Sequence, residues 1–378
     1  MPRFSSTLVS ACVWALGLLL LTSLGAQAAI NRIAWGGKGG KGVDLYVLTN
    51  AGGMEVRISN YGGIITSIRV PDRDGKMTNV TQGFDNLAAY VSPGYKGRYG
   101  AIIGRFANRI KDNRFQLGGI TYRIGRGEGY TAAADSSHVP YDERVWTAEA
   151  RDGAEPSLIL KLDDRNGTMG FPGTVKVTAT YTLTSQNVLR LSFRAVTDKQ
   201  TPISLTNHAY FNLAGDDSGP VLDQLLTVNA DAITPGDASN TPTGEIRKVE
   251  GTAFDFRQPT PIGKNIHASD PLIQRAGGFD QNYALNGPAG TLRLAARLED
   301  PKSGRVMEEW TTLPGLQVYT ANYPPPLVGE VKGYRPHGAV ALEAQGFPNA
   351  PNIPDFPSTM LMPNQTWLHT IEFRFSVK

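Results

Sequence analysis

A histidine near the middle of the chain is the residue best suited to move protons. His208 stands in the run TNHAYFNLAG (residues 206–215), directly after the strand-like residues 203–205. Imidazole is the side chain whose protonation changes most readily near neutral pH. Small polar and aromatic neighbours suit a sugar, because hydroxyl groups need hydrogen bonds and the C–H faces of a ring pack on flat apolar surfaces. The segment therefore suggests acid–base chemistry on a carbohydrate.

A carboxylate in the C-terminal part of the chain is the second candidate. Glu343 comes at the end of the apolar run 339–342, and a proline-containing loop follows it. A carboxylate that leaves a buried strand can have a perturbed pKa, which a general base requires. Taken alone, Glu343 is explained slightly better as the ion-pair partner of one of the many arginines.

Four further residues could bind sugar hydroxyls. Asn108 and Arg109 offer hydrogen-bond donors, Arg109 through its rigid planar fork, although an arginine in a surface hairpin is the commoner case. Asp280 could accept from two hydroxyls or cap a turn. Gln317 lies in a strand-like run, where a solvent-exposed glutamine is more common than a ligand contact.

Other chemistries find little support in the sequence. The five histidines are far apart and show no metal-ligand spacing, and no glycine-rich phosphate loop is present. A Ser–His–Asp triad stays open by spacing, but the Gly-x-Ser-x-Gly motif is missing. The net charge of +3 without a Lys/Arg cluster argues against nucleic acid or an anionic membrane as a partner.

The elements that must position these residues are strands. Leu189, Leu191 and Phe193 alternate with polar residues, and residues 175–183 and 371–377 show the same period of two. Residues 185–187 separate two of these runs and predict a hairpin turn; 72–75 and 300–304 predict further turns. No long stretch has helical periodicity. The sequence therefore predicts an all-β protein, a large antiparallel sandwich that forms a single domain over residues 43–378.

The N-terminus has the pattern of a secretion signal. Arg3 precedes a nearly continuous apolar run at residues 13–24, and Ala26-Gln27-Ala28 fits the small-x-small cleavage rule. We expect residues 1–29 to be a signal peptide cleaved after Ala28, and residues 30–42 to be a short lead of uncertain order. Cys12, the single cysteine, would leave with the signal. The mature protein is then expected to be exported, periplasmic or secreted, and without disulfides.

Taken together and in this order, the segments resemble the aldose 1-epimerases, also called galactose mutarotases. The most specific motifs are T-N-H-x-Y-F-N-L at 206–213 and L-E-x-Q-x-F-P-x-A-P-N at 342–352. The resemblance runs from residue 43 to the C-terminus through 104–110, 170–173, 206–215, 251–257, 278–285, 311–320 and 342–360. It implies a large antiparallel β-sandwich, in agreement with the strand pattern.

The resemblance also implies roles for single residues. Glu343 matches the general base that takes the proton of the anomeric hydroxyl, and His208 matches the general acid that protonates the ring oxygen. Asn108, Arg109, Asp280 and Gln317 match positions that bind the hydroxyls or the ring oxygen. The expected substrate is a free hexose-like aldose, with no cofactor, no metal and no membrane contact after signal cleavage, in a monomer or weak dimer.

One loop departs from the family pattern. The family usually carries Leu-His-Gly-Gly shortly before a Phe-Asp-x-x-x-Trp element, which is Tyr141–Trp146 here. Counting back from Asp142 places Asp135 at the position of that histidine, and His138 could replace it only after an adjustment of three residues. Gln281 and Gly346 also stand where the family often has histidine. The altered loop therefore bears on sugar specificity more than on reaction type, because His208 and Glu343 are both present.

Two other functions are also compatible with the sequence. A carbohydrate-binding protein with little or no catalysis is favoured by the altered loop and opposed by the presence of both His208 and Glu343. A glycan-cleaving enzyme would use two carboxylates, with Asp280 and Glu343 as the candidate pair.

Overall fold

Strands make up nearly all the regular structure of this protein. The structure, a computed structural model, describes residues 27–92, 97–125, 139–323 and 334–378. Most of the expected signal peptide lies outside these ranges, as do Asp135 and His138. None of the helices within them is long and apolar enough to cross a membrane.

The first sheet is built from consecutive N-terminal strands in chain order, each antiparallel to the next. Its strands are β1 (Ala29–Lys38), β2 (Lys41–Thr49), β3 (Glu55–Ser59), β4 (Ile65–Pro71) and β5 (Met77–Asn79). Most of the segment whose order the sequence left open, residues 30–42, thus lies in strands. β1 is largely exposed, so it is held mainly by its backbone pairing with β2.

Within the described ranges, the remaining strands form two large sheets and three short pairs. In chain order they are β6 (Ile102–Ile103), β7 (Arg114–Leu117), β8 (Ile120–Arg123), β9 (Thr147–Arg151), β10 (Ser157–Asp164), β11 (Val175–Leu183), β12 (Val188–Thr197), β13 (Thr201–Pro202), β14 (Thr206–Asn207), β15 (Tyr210–Phe211), β16 (Leu225–Val228), β17 (Ala230–Thr234), β18 (Arg247–Lys248), β19 (Thr260–Pro261), β20 (Asp280–Leu285), β21 (Arg293–Glu299), β22 (Arg305–Thr311), β23 (Gly315–Tyr319), β24 (Val340–Gln345), β25 (Met360–Leu361) and β26 (Trp367–Val377). The α-helices of the described ranges are short, α1 (Leu87–Val91) and α2 (Pro271–Ala276).

The larger sheet has nine strands in the order β19-β16-β21-β22-β26-β12-β11-β10-β9. Its central hairpin confirms the sequence prediction, because β11 and β12 pair from Val175↔Thr197 to Leu183↔Leu189 around the turn at 185–187. Leu189, Leu191 and Phe193 point into the core. The intervening residues of β12 face outward, which is the period of two that the sequence shows.

The second large sheet has six strands in the order β15-β24-β23-β20-β17-β18. It packs against the nine-stranded sheet through apolar side chains, for example Phe211 against Phe373 at 5.1 Å between ring centroids. Full burial of such a side chain stabilises the fold by about 1.5–3 kcal/mol. The expected large antiparallel β-sandwich is confirmed, and the six-stranded sheet is the element that carries the candidate site.

Candidate active site

β24 holds Glu343 near the middle of a buried strand. Leu342 and Ala344 belong to the core between the sheets. Because neighbouring side chains of a strand point to opposite faces, Glu343 lies on the other face. The sequence suggested that this carboxylate leaves the strand, but the structure keeps it inside β24, with its side chain 9 % exposed.

A short strand pair and the loop after it hold His208. β14 pairs with β6, and just beyond it the backbone N–H of His208 donates to Ala101 O at 2.9 Å. In return, the N–H of Gly100 donates to His208 O, also at 2.9 Å. These bonds fix the backbone on both sides of the imidazole.

The structure brings the two proposed proton-transfer groups together. The distance from His208 Nε2 to Glu343 Oε1 is 3.5 Å, and the side chains are 16 % and 9 % exposed. An acid and a base so close together can each reach one of two adjacent oxygen atoms. The partner that the structure places beside the Glu343 carboxylate is thus an imidazole.

Aromatic rings orient this imidazole. Tyr210 stacks on His208 at 4.7 Å between centroids and an interplanar angle of 22°. Tyr319 meets the imidazole edge-on at 6.5 Å. Tyr99 packs on Tyr210 at 4.6 Å, and burial raises the pKa of Tyr99, so its phenol stays neutral. The sequence analysis did not single out Tyr319, although its position two residues after Gln317 places it on the same face of β23.

Gln317 connects the neighbourhood of Glu343 to the sugar-binding candidates. It lies directly opposite Glu343 in the β23–β24 ladder and is 4 % exposed, so it is not the solvent-exposed strand residue that its run suggests. Its Nε2 donates to Asp280 Oδ1 at 2.6 Å. Its Oε1 accepts from Asn108 Nδ2 at 3.0 Å.

Asp280 and Arg109 form the charged end of this network. Arg109 Nη2 lies 3.5 Å from Asp280 Oδ2, with the arginine side chain 29 % exposed. The left-handed backbone of Asn108, with φ of 65°, turns its own Oδ1 to accept from the N–H of Arg109 at 2.9 Å. The structure therefore places Asn108, Arg109, Asp280 and Gln317 in one hydrogen-bonded group.

Three amide residues extend the network beyond the residues found by sequence. Asn240 Nδ2 donates to Asp280 Oδ2 at 3.5 Å. Gln345 Nε2 donates to Gln317 Oε1 at 3.3 Å and to Asn282 Oδ1 at 3.2 Å. Gln345 and Asn282 each lie two residues after a proposed site residue, so the strand period could have revealed them. Asn240 lies in a loop and had no such signal.

Two departures from the family pattern can be placed. Gln281 is buried and points to the face of β20 opposite Asp280 and Asn282, away from the network. A Cβ atom at Gly346 would lie 2.7 Å from Thr359 Cγ2, so a histidine does not fit there without a shift. Asp135 and His138, at the third departure, lie outside the described residues.

This fold and this site define a β-sandwich protein in which an imidazole and a carboxylate lie side by side next to a hydrogen-bonded polar network. The family model for aldose 1-epimerase matches residues 44–374. A galactose mutarotase of Bos taurus is 38 % identical over 330 residues, which is 86 % of this chain and 92 % of the relative. An aldose 1-epimerase of Escherichia coli K12 is 30 % identical and covers 88 % of this chain and 94 % of its own. The crystal structure of a galactose 1-epimerase from Lactobacillus acidophilus superposes with a TM-score of 0.80 at 26 % identity, over 93 % of this chain and 99 % of the other.

The chain therefore belongs to the aldose 1-epimerase family. The resemblance seen in the sequence motifs is confirmed, and so is the prediction of an isomerase.

Proposed function

We propose that the protein is an exported aldose 1-epimerase that interconverts the α and β anomers of a free galactose- or glucose-like aldose. The observation that carries the proposal is the distance of 3.5 Å between His208 Nε2 and Glu343 Oε1. The names of the relatives, galactose mutarotase and aldose 1-epimerase, support the same reaction.

The reaction needs one proton removed and one delivered. Glu343 takes the proton from the anomeric hydroxyl, and protonated His208 delivers a proton to the ring oxygen. The bond between C1 and the ring oxygen breaks, and the open-chain aldehyde forms. Rotation about C1–C2 exposes the other carbonyl face, and the ring closes with both proton transfers reversed. Each positioned transfer accelerates the reaction by about 10²–10⁴-fold.

The polar network holds the sugar in place for these transfers. Asp280 accepts from sugar hydroxyls, while Arg109 and Asn108 donate to hydroxyls or to the ring oxygen. Gln317 lies opposite Glu343 and links the acceptor Asp280 to the donor Asn108, because it hydrogen-bonds to both. No cofactor takes part in this scheme, and the active unit is a monomer or weak dimer.

Anomer exchange of purified protein tests the function. We expect the wild type to accelerate the exchange of α-galactose and α-glucose, followed by polarimetry or by NMR saturation transfer. Glu343→Gln keeps the shape of the side chain but removes its basicity, so we expect kcat to fall by about 10²–10⁴-fold. Glu372→Gln changes a buried glutamate of β26 that bonds to Arg190 and Arg374, and it should keep full activity. Sugar binding by the wild type without acceleration for any of several aldoses would point instead to a carbohydrate-binding protein.

Export is supported by the N-terminal sequence pattern. The charged start, the apolar run at 13–24 and the small residues at 26 and 28 predict cleavage after Ala28. N-terminal sequencing of the exported protein should therefore find Ala29 as the first residue. A full-length chain retained in the cytoplasm would contradict this part of the proposal.

A further inference from the structure

A second glutamate lies in the core beneath the strand that carries Glu343. Glu309 belongs to β22 of the nine-stranded sheet and is 0 % exposed. Its ladder partners are Ala296 and Phe373, both core residues. Its side chain therefore points from the nine-stranded sheet into the apolar layer between the two sheets.

Glu309 reaches the backbone of β24 at the residue after Glu343. The N–H of Ala344 donates to Glu309 Oε1 at 3.2 Å. On this side of β24, β15 pairs with Val340 and Ala341. Further along β24, side chains take the place of a partner strand as hydrogen-bond acceptors. Ser204 Oγ, like Glu309 Oε1, accepts from a backbone N–H of this segment, that of Gly346, at 3.0 Å. A buried N–H without an acceptor costs about 1–3 kcal/mol, so these side chains stabilise the strand on both sides of Gln345.

The surroundings of Glu309 favour its neutral form. Burial raises its pKa well above the usual range, and the Ala344 N–H opposes that only in part. Oε2 receives no hydrogen bond within the described ranges, so no donor there stabilises a negative charge. A neutral carboxyl group still accepts from Ala344, and it puts no second negative charge under the base.

We propose that Glu309 is a positioning residue that fixes β24 at Ala344 and thereby sets the position of the Glu343 carboxylate relative to His208. The kinetic part of this inference rests on the proposed function. A displacement of about 1 Å in a catalytic group can lower a rate by about 10²-fold, so a contact one residue from the base matters for rate. The sugar-binding residues Asp280 and Gln317 lie on β20 and β23, so the change should affect kcat more than KM.

Three variants separate positioning from general stability. Glu309→Gln keeps an oxygen acceptor in a neutral side chain, and we expect kcat within about threefold of wild type. Glu309→Leu removes the acceptor, and we expect kcat to fall by about 10- to 100-fold with KM changed by less than about threefold. Glu372→Leu makes the same change on the opposite face of the neighbouring strand, and it should lower the melting temperature without changing either constant.

Hydrogen exchange of the Ala344 amide tests the contact independently of activity. We expect faster exchange in Glu309→Leu and unchanged exchange in Glu309→Gln, measured by NMR. Should Glu309→Leu fail to fold, Glu309→Asp, which is shorter by one methylene, is expected to show the same faster exchange and a smaller loss of kcat. The inference is overturned if Glu309→Leu or Glu309→Asp keeps the wild-type exchange rate and kcat. It is also overturned if Glu309→Gln loses as much kcat and protection of the Ala344 amide as Glu309→Leu, or if the variants change KM rather than kcat. A wild type without epimerase activity would refute the proposed function and leave the exchange result to decide the contact.

Discussion

β12 and β24 are both central strands, but they use the alternation of side chains differently. In β12 one face packs into the core and the other is turned outward. In β24 every residue is buried: Leu342 and Ala344 face the core, while Glu343 and Gln345 face a covered polar network. β24 is buried on both faces and yet carries carboxylate and amide groups on one of them, and stability alone does not explain this composition. Polar groups are costly to bury, so a cluster of them marks a site.

The largest effect is expected for the imidazole that faces β24. His208→Asn removes the proposed general acid while keeping a side chain that donates hydrogen bonds, and kcat should fall by about 10²–10⁴-fold. The measurement is anomer exchange of α-galactose. His369→Asn is the matched control, because that histidine lies on β26 of the nine-stranded sheet and bonds to Thr312, just after β22. Equal losses of kcat in the two variants would show that the histidine beside Glu343 has no special role in the reaction.

A smaller effect, on the free energy of unfolding and not on kcat, is expected for the core face of β24. Leu342→Ala leaves a cavity between the sheets and should lower the free energy of unfolding by about 2–5 kcal/mol, measured by urea denaturation. Arg194→Ala on the outward face of β12 should change it by about 0.5 kcal/mol or less. If both variants lost the same stability, the placement of Leu342 in the core and of Arg194 on an outward face would be wrong.

Much of the scaffold could be predicted because a half-buried strand shows its two faces in the sequence. The hairpin of β11 and β12 and the C-terminal β26 follow from this alternation. β1 could not be recognised, because its residues are mostly exposed and glycine-rich near its end, and its order comes from backbone pairing with β2. β24 was visible as an apolar run, but not as a strand that continues through Glu343 to Gln345.

Of the candidate site, the residue types were visible and their arrangement was not. Gln317 reads as a solvent-exposed strand residue, because burial by a neighbouring strand and by the loop at Asn108 depends on distant parts of the chain. Nothing in the sequence indicated that Asn240 or Glu309 lies in or near the site. A polar residue in a loop and a glutamate within a strand each have a simpler explanation in the sequence.

The sequence by itself determined the alternation of the strands and the supply of an imidazole, a carboxylate and hydrogen-bonding side chains in recognisable motifs. These properties are local, since they depend on residue type and on spacing of a few positions. Only the tertiary structure decided that His208 meets Glu343, that Gln317 lies opposite that carboxylate, and that Glu309 holds the next backbone N–H from below. Contacts of this kind depend on strand order and register, which are set by the packing of the two sheets as a whole.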